Sequence, residues 1–143
     1  MGLAFLIGIM IVIQGSLNAR LGVLLANSQL ASTIALTISA LAAVLVTVVS
    51  HKIPNPQSLR VIPGHLWMTG GLVSFVAVSS FYYVIPRLGI ASTVAFGLSG
   101  QLIFAAVSSL FVLFGLNVEL LTWKRIIGFV IMILGVVCIK SLL

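Results

Sequence analysis

Two side-chain amides, Gln14 and Asn18, stand four residues apart in a stretch that carries no charge before Arg20. On a helix that spacing puts both on one face, where they can donate and accept hydrogen bonds without bearing charge. A third amide, Gln101, falls near the middle of a later uncharged run, and Ser74 and Tyr82 lie about two helical turns apart on roughly one side of another. Such groups suit recognition of a neutral or anionic solute. Other chemistries lack their residues. The single acid, Glu119, gives no carboxylate pair for general acid–base work or for a hard metal ion. His51 and His65 both fall in the 51–65 loop without metal-site spacing. The lone cysteine, Cys138, excludes a disulfide framework. No GxxxxGK[ST] occurs, which excludes an intrinsic ATPase. The expectation is a non-enzyme with no cofactor and no metal.

The elements that must position these groups follow from composition. The chain has 143 residues, 62% apolar and 6% charged, whereas a soluble domain carries about 25% charged residues. So little charge cannot coat a soluble globule, and disordered chains are polar. The seven basic residues are scattered and form no phosphate-tracking stripe, so no nucleic-acid partner is expected. An integral membrane protein embedded in the lipid bilayer remains. Residues 1–19, 21–51, 61–86 and 88–118 hold no charged side chain. A helix needs about 20 apolar residues to cross a hydrocarbon core, so each window holds one span. Gly, Pro and Asn punctuation places the all-α spans at about 2–26, 30–50, 65–84 and 90–114 in a single transmembrane domain, 1–143. A fifth, about 123–142, has an uncharged stretch of only 126–139, but Lys124, Arg125 and Lys140 can snorkel. The first segment lacks a basic n-region and a clear cleavage site, so it is expected to stay in the mature chain. Five spans would put the termini on opposite sides.

An amide in hydrocarbon is costly unless it faces protein or water. Gln14 and Asn18 therefore serve either as interhelical glue or as the wall of a solute cavity. Two amides on one face exceed what one contact needs, which favours the cavity. Gly8, Gly15 and Gly22 recur every seven residues, and Ser92, Ala95, Ser99 and Ala106 form a small-residue stripe, both signs of close helix packing. Gly128 and Gly135 are also seven apart, on a face suited to packing within the chain or against a second chain. Trp67, Tyr82, Tyr83 and Trp123 near span ends suit an interfacial belt, and Tyr82 also suits a cavity mouth.

Basic residues ordinarily mark the cytoplasmic loops. Here Lys52, Arg60, Lys124 and Arg125 fall on one side and Arg20, Arg87 and Lys140 on the other. So even a split suits either a weakly biased protein of one orientation or, the favoured reading, a unit that inserts both ways or pairs with an oppositely oriented partner, an arrangement from which transporters are commonly built.

Three stretches carry a resemblance: Gln14-Gly15-Ser16-Leu17-Asn18-Ala19-Arg20; Pro86-Arg87-Leu88-Gly89-Ile90-Ala91 with Ser99-Gly100-Gln101-Leu102-Ile103; and Gly115-Leu116 with Trp123-Lys124-Arg125-Ile126-Ile127-Gly128 and Gly135-Val136. Together they resemble the YdcZ family of bacterial inner-membrane exporters, five-helix members of the drug/metabolite transporter superfamily. The resemblance implies a multidrug-transporter-like half-unit in the inner (plasma) membrane and a family whose units occur singly, as oppositely oriented pairs, or fused. Gly128 and Gly135 look similar to the glycines through which small multidrug resistance proteins pair. One departure is that many relatives carry an acid late in the fourth helix, near Ser109 here, which puts a shared ion coupling in doubt.

The leading expectation is an exporter of a small-molecule solute, working by alternating access as an antiparallel homodimer or with a paired homologous subunit, its cavity lined by Gln14, Asn18, Gln101, Ser74 and Tyr82. A dual-topology ion channel and a non-transporting accessory subunit are the alternatives.

Overall fold

The computed structural model describes residues 2–51, 55–59, 62–110 and 122–141. They form helices α1 (Gly2–Leu24), α2 (Ser28–Val49), a single turn α3 (Pro56–Leu59), α4 (Gly64–Leu88), α5 (Ile90–Leu110) and α6 (Trp123–Ser141), and no strand occurs among them. The expected all-α, five-span class holds. α1, α2, α4 and Ile90–Ser108 of α5 are each long and apolar enough to cross a bilayer. The uninterrupted apolar run of α6 is shorter, Ile126–Cys138. The 19 residues of α6 nevertheless reach about 28 Å, close to the ~30 Å hydrocarbon thickness. Large apolar side chains such as Phe5, Met10, Leu41 and Trp67 stay exposed, as lipid-facing residues do. Lys52, Arg60, residues 111–114 of the fourth expected span, Gly115, Leu116, Asn117 and Glu119 lie outside the described residues.

The chain divides into two compact units, Met1–Arg87 and Leu88–Leu143. In the first, α1 turns directly into α2. Ala26 N–H donates to the Val23 carbonyl at 3.1 Å and Asn27 N–H to the Gly22 carbonyl at 3.0 Å, the bond pair that closes a helix through a left-handed residue. That residue is Ala26, at φ 49°. Here lies the reason α1 ends at Leu24 and not at 26. Asn27 then caps α2, its Oδ1 accepting from Leu30 N–H at 3.0 Å. A Cβ on Gly22 would stand 3.3 Å from Ser28 Cα, so the absence of a side chain lets the turn close. Ala19 and Ala31, both buried, fill the seam between the helices.

α4 continues past the expected end at 84 and runs through Pro86 to Leu88. A proline in the last turn forfeits only the bond to the carbonyl four residues back, Tyr82 here. Arg87 adds a side-chain bond to that turn, Nη1 donating to the Tyr83 carbonyl at 2.6 Å. Gly89 follows at φ 81° and ends the helix. In the second unit α5 and α6 pack together, with Val136 buried on α6.

An L-residue in the left-handed region costs roughly 1 kcal/mol that glycine avoids. Ala26→Gly should therefore raise the thermal midpoint of the detergent-solubilised protein by a few degrees, and an unchanged or lower midpoint would contradict the turn. Gly15 faces Phe81, whose ring would lie 2.7 Å from an added Cβ, while Gly8 meets nothing within 4 Å. Gly15→Leu should destabilise the protein by about 1–3 kcal/mol through overpacking, and Gly8→Leu should leave the melting curve in place.

Candidate functional site

The α1 face that turns inward carries Gly15, Ala19 and Gly22, all buried. Gln14 and Asn18 flank that strip, and the large side chain opposite is Tyr82, 2% exposed. Asn18 Nδ2 donates to the Tyr82 hydroxyl at 3.1 Å and, more distantly, to Gln14 Oε1 at 3.4 Å. The Tyr82 hydroxyl in turn donates to Gln14 Oε1 at 3.3 Å. Three polar side chains from α1 and α4 thus close a small ring of hydrogen bonds. Asn18 is half-buried and Gln14 exposed. The ring spends only part of its capacity: among the described residues Gln14 Nε2 donates to nothing and Asn18 Oδ1 accepts from nothing.

One turn of α4 before Tyr82, a second polar contact joins α4 to α2. Ser32 Oγ and Ser79 Oγ are 2.5 Å apart, both residues buried. Ser32 Oγ donates to the Gln29 carbonyl at 2.8 Å, which leaves Ser79 to donate across the seam. Ser79 and Tyr82 are three apart and so share the inward face.

Where α1 turns into α2, beside the last turn of α4, a cleft of about 540 Å³ opens. Gly22, Asn27, Tyr82, Tyr83, Pro86 and Arg87 are on its walls. The Arg87 guanidinium carbon lies 3.4 Å from the centroid of the Tyr83 ring, a stacked cation–π arrangement.

Of the residues expected from sequence to line a cavity, the structure brings Gln14, Asn18 and Tyr82 together. Their bonds span two helices, so the amides do the bridging that glue requires while keeping groups to spare. Tyr82 departs from the interfacial-belt expectation, because the amides draw its hydroxyl inward; Trp67, Tyr83 and Trp123 remain exposed. Ser74 is exposed and does not join the cluster. Eight residues turn a helix about 80° past two full turns, enough to part it from buried Tyr82. Gln101, in the other compact unit, is exposed on α5 and has no side-chain hydrogen bond among the described residues. Gly128 and Gly135 are exposed, and among the described residues an added Cβ at either meets nothing within 4 Å. Sequence reasoning missed the Ser32–Ser79 contact and the cleft position of Asn27. The three-residue step from Ser79 to Tyr82 was the available signal for the first.

Interhelical hydrogen bonds in membrane proteins couple by about 0.6 kcal/mol on average and up to about 1.7. A double-mutant cycle with Tyr82→Phe and Asn18→Ala, read by unfolding in mixed micelles, should return a coupling in that range. Strict additivity would remove the ring.

Comparison with known proteins adds one finding. The family model described as "Putative inner membrane exporter, YdcZ" matches residues 1–138. No curated protein matches the chain, and no solved structure does.

Proposed function

Because the chain belongs to the YdcZ family of inner-membrane exporters, we propose that it carries a small solute across that membrane through the Gln14–Asn18–Tyr82 cluster. The observation that supports this reading most is the cluster's unspent capacity. Among the described residues Gln14 keeps an unused amide donor and Asn18 an unused carbonyl acceptor beside a tyrosine hydroxyl that both hold in place. A polar solute that leaves water needs replacement partners of this kind. Preorganised partners lower the cost of binding it.

Transport by alternating access requires two bodies that rock about the bound solute. The even distribution of basic residues supports an antiparallel pair, formed by two copies or by two homologous subunits. The open faces of Gly128 and Gly135 supply close-approach surfaces for that pairing. Gln101 and Ser74 present further hydrogen-bonding groups, on α5 and on the outer side of α4, to a path completed by a partner.

Gln14→Leu combined with Gln101→Leu should abolish uptake into proteoliposomes of whichever solute the unmodified protein accumulates from a mixture of neutral and anionic small molecules. Cross-linked dimers should persist in the double variant. Unchanged flux would overturn the site assignment. Gly128→Leu with Gly135→Leu should instead reduce the cross-linked dimer, and an undiminished yield would place the pairing surface elsewhere.

A further inference from the structure

We infer that the cleft at the α1–α2 turn is an anion-binding mouth, in which Arg87 anchors a carboxylate or phosphate group borne on a small apolar body. This rests on the transport reading and narrows its solute to one charge class.

Arg87 is the charged side chain on the cleft wall. It is held in place twice, by stacking 3.4 Å over the Tyr83 ring and by the 2.6 Å bond from Nη1 to the Tyr83 carbonyl. A guanidinium has five N–H donors in a planar fork, so most of them remain for a ligand. No acid occurs anywhere in Met1–Arg87, and this unit therefore contains no carboxylate to neutralise Arg87. A cation entering the cleft meets like charge, a neutral molecule gains ordinary hydrogen bonds, and an anion gains charge-assisted ones of roughly twice the strength. Arginine suits carboxylate and phosphate because its fork matches two of their oxygens at once.

The rest of the cleft sets the ligand's body. Val23, Ala26, Pro86 and the Tyr82 ring give it an apolar side, and about 540 Å³ falls among the ~300–1,000 Å³ of small-molecule pockets. Tyr82 belongs to both places: its ring borders the cleft and its hydroxyl is held by Gln14 and Asn18. An anion anchored at Arg87 therefore stands next to the amide cluster. The cleft opens at the turn between two helices long and apolar enough to span a membrane, and span ends lie near the polar headgroups, so a free carboxylate and a phospholipid headgroup both present the required chemistry.

The test uses the full chain in phosphatidylcholine nanodiscs, with benzoate as probe and benzamide and benzamidine as its neutral and cationic counterparts. Calorimetric titration should show benzoate binding at least about tenfold more tightly than either counterpart. Arg87→Gln should remove about that factor, and Arg87→Lys should recover part of it, keeping charge but not the planar fork. Native mass spectrometry with added phosphatidylglycerol distinguishes the sources. If a headgroup is the anion, benzoate does not bind, and a phosphatidylglycerol adduct is present that Arg87→Gln loses and Arg87→Lys keeps. Benzamide binding as well as benzoate, or Arg87→Gln leaving both benzoate and phosphatidylglycerol unaffected, would overturn the inference, as would the absence of both ligands. Gln14→Leu separates this from the transport reading. It should stop flux and keep benzoate at the mouth, so persistent flux in that variant defeats the transport site alone.

Discussion

Hydrocarbon offers a polar side chain no water to bond with, and that constraint governs which faces of α1, α2 and α4 can meet. Asn18, Ser32, Ser79 and Tyr82 must each find a partner in protein or remain costly. They find one another: Asn18 with Tyr82 across α1 and α4, and Ser32 with Ser79 across α2 and α4. Dispersion and small residues bring the helices close, but such packing tolerates rotation. A hydrogen bond of defined partners does not. The two polar contacts, one turn apart on α4, therefore fix both its rotation and its height against the α1–α2 pair.

The same constraint explains the form of the turn. With α1 and α2 joined by so few residues, the backbone groups freed at both helix ends need partners within the turn itself. Ala26 in the left-handed region and Asn27 as cap satisfy them. Asn27 consequently spends its Oδ1 on Leu30, and the wall it shares with Gly22 and Tyr82 keeps its shape. Across the cleft, Pro86 stiffens the last turn of α4 while Arg87 lies over Tyr83. The groups most suited to a ligand thus sit on backbone held rigid for reasons of its own stability, which is what a recognition site requires.

Much of this was legible in the sequence, and the misses have physical causes. Span number and approximate limits followed from the spacing of charges, because a charge inside hydrocarbon is rare. The Gln14–Asn18 face was readable from a four-residue step. Tyr82 was ambiguous, since an aromatic near a span end suits the headgroup belt as well as an internal bond; only its partners decide, and they come from another helix. Ser74 lies about 80° round α4 from Tyr82, because eight residues exceed two whole turns, and it stands exposed. Pro86 read as a terminator, although in a final turn it forfeits one bond. The seven-residue glycine series looked uniform, yet Gly15 and Gly22 are packed while Gly8 is open. Periodicity gives a face, but not how far along it a neighbour extends.

The cluster and the cleft together bear on why a unit with so few charges is built as it is. An intramembrane carboxylate would bind cations and protons, and Met1–Arg87 contains none. Its uncharged donors and acceptors discriminate weakly by charge, so the selection of ligands by sign falls to the mouth, where Arg87 can be hydrated without crossing hydrocarbon. Gln14 meanwhile keeps a donor without a partner among the described residues, on an exposed face. A donor left against lipid costs what the ring elsewhere avoids, and a second protein surface or a water-filled path removes that cost. Under the proposed transport reading, the same amide that holds Tyr82 in place would also face a paired subunit, which would tie recognition of the solute to pairing.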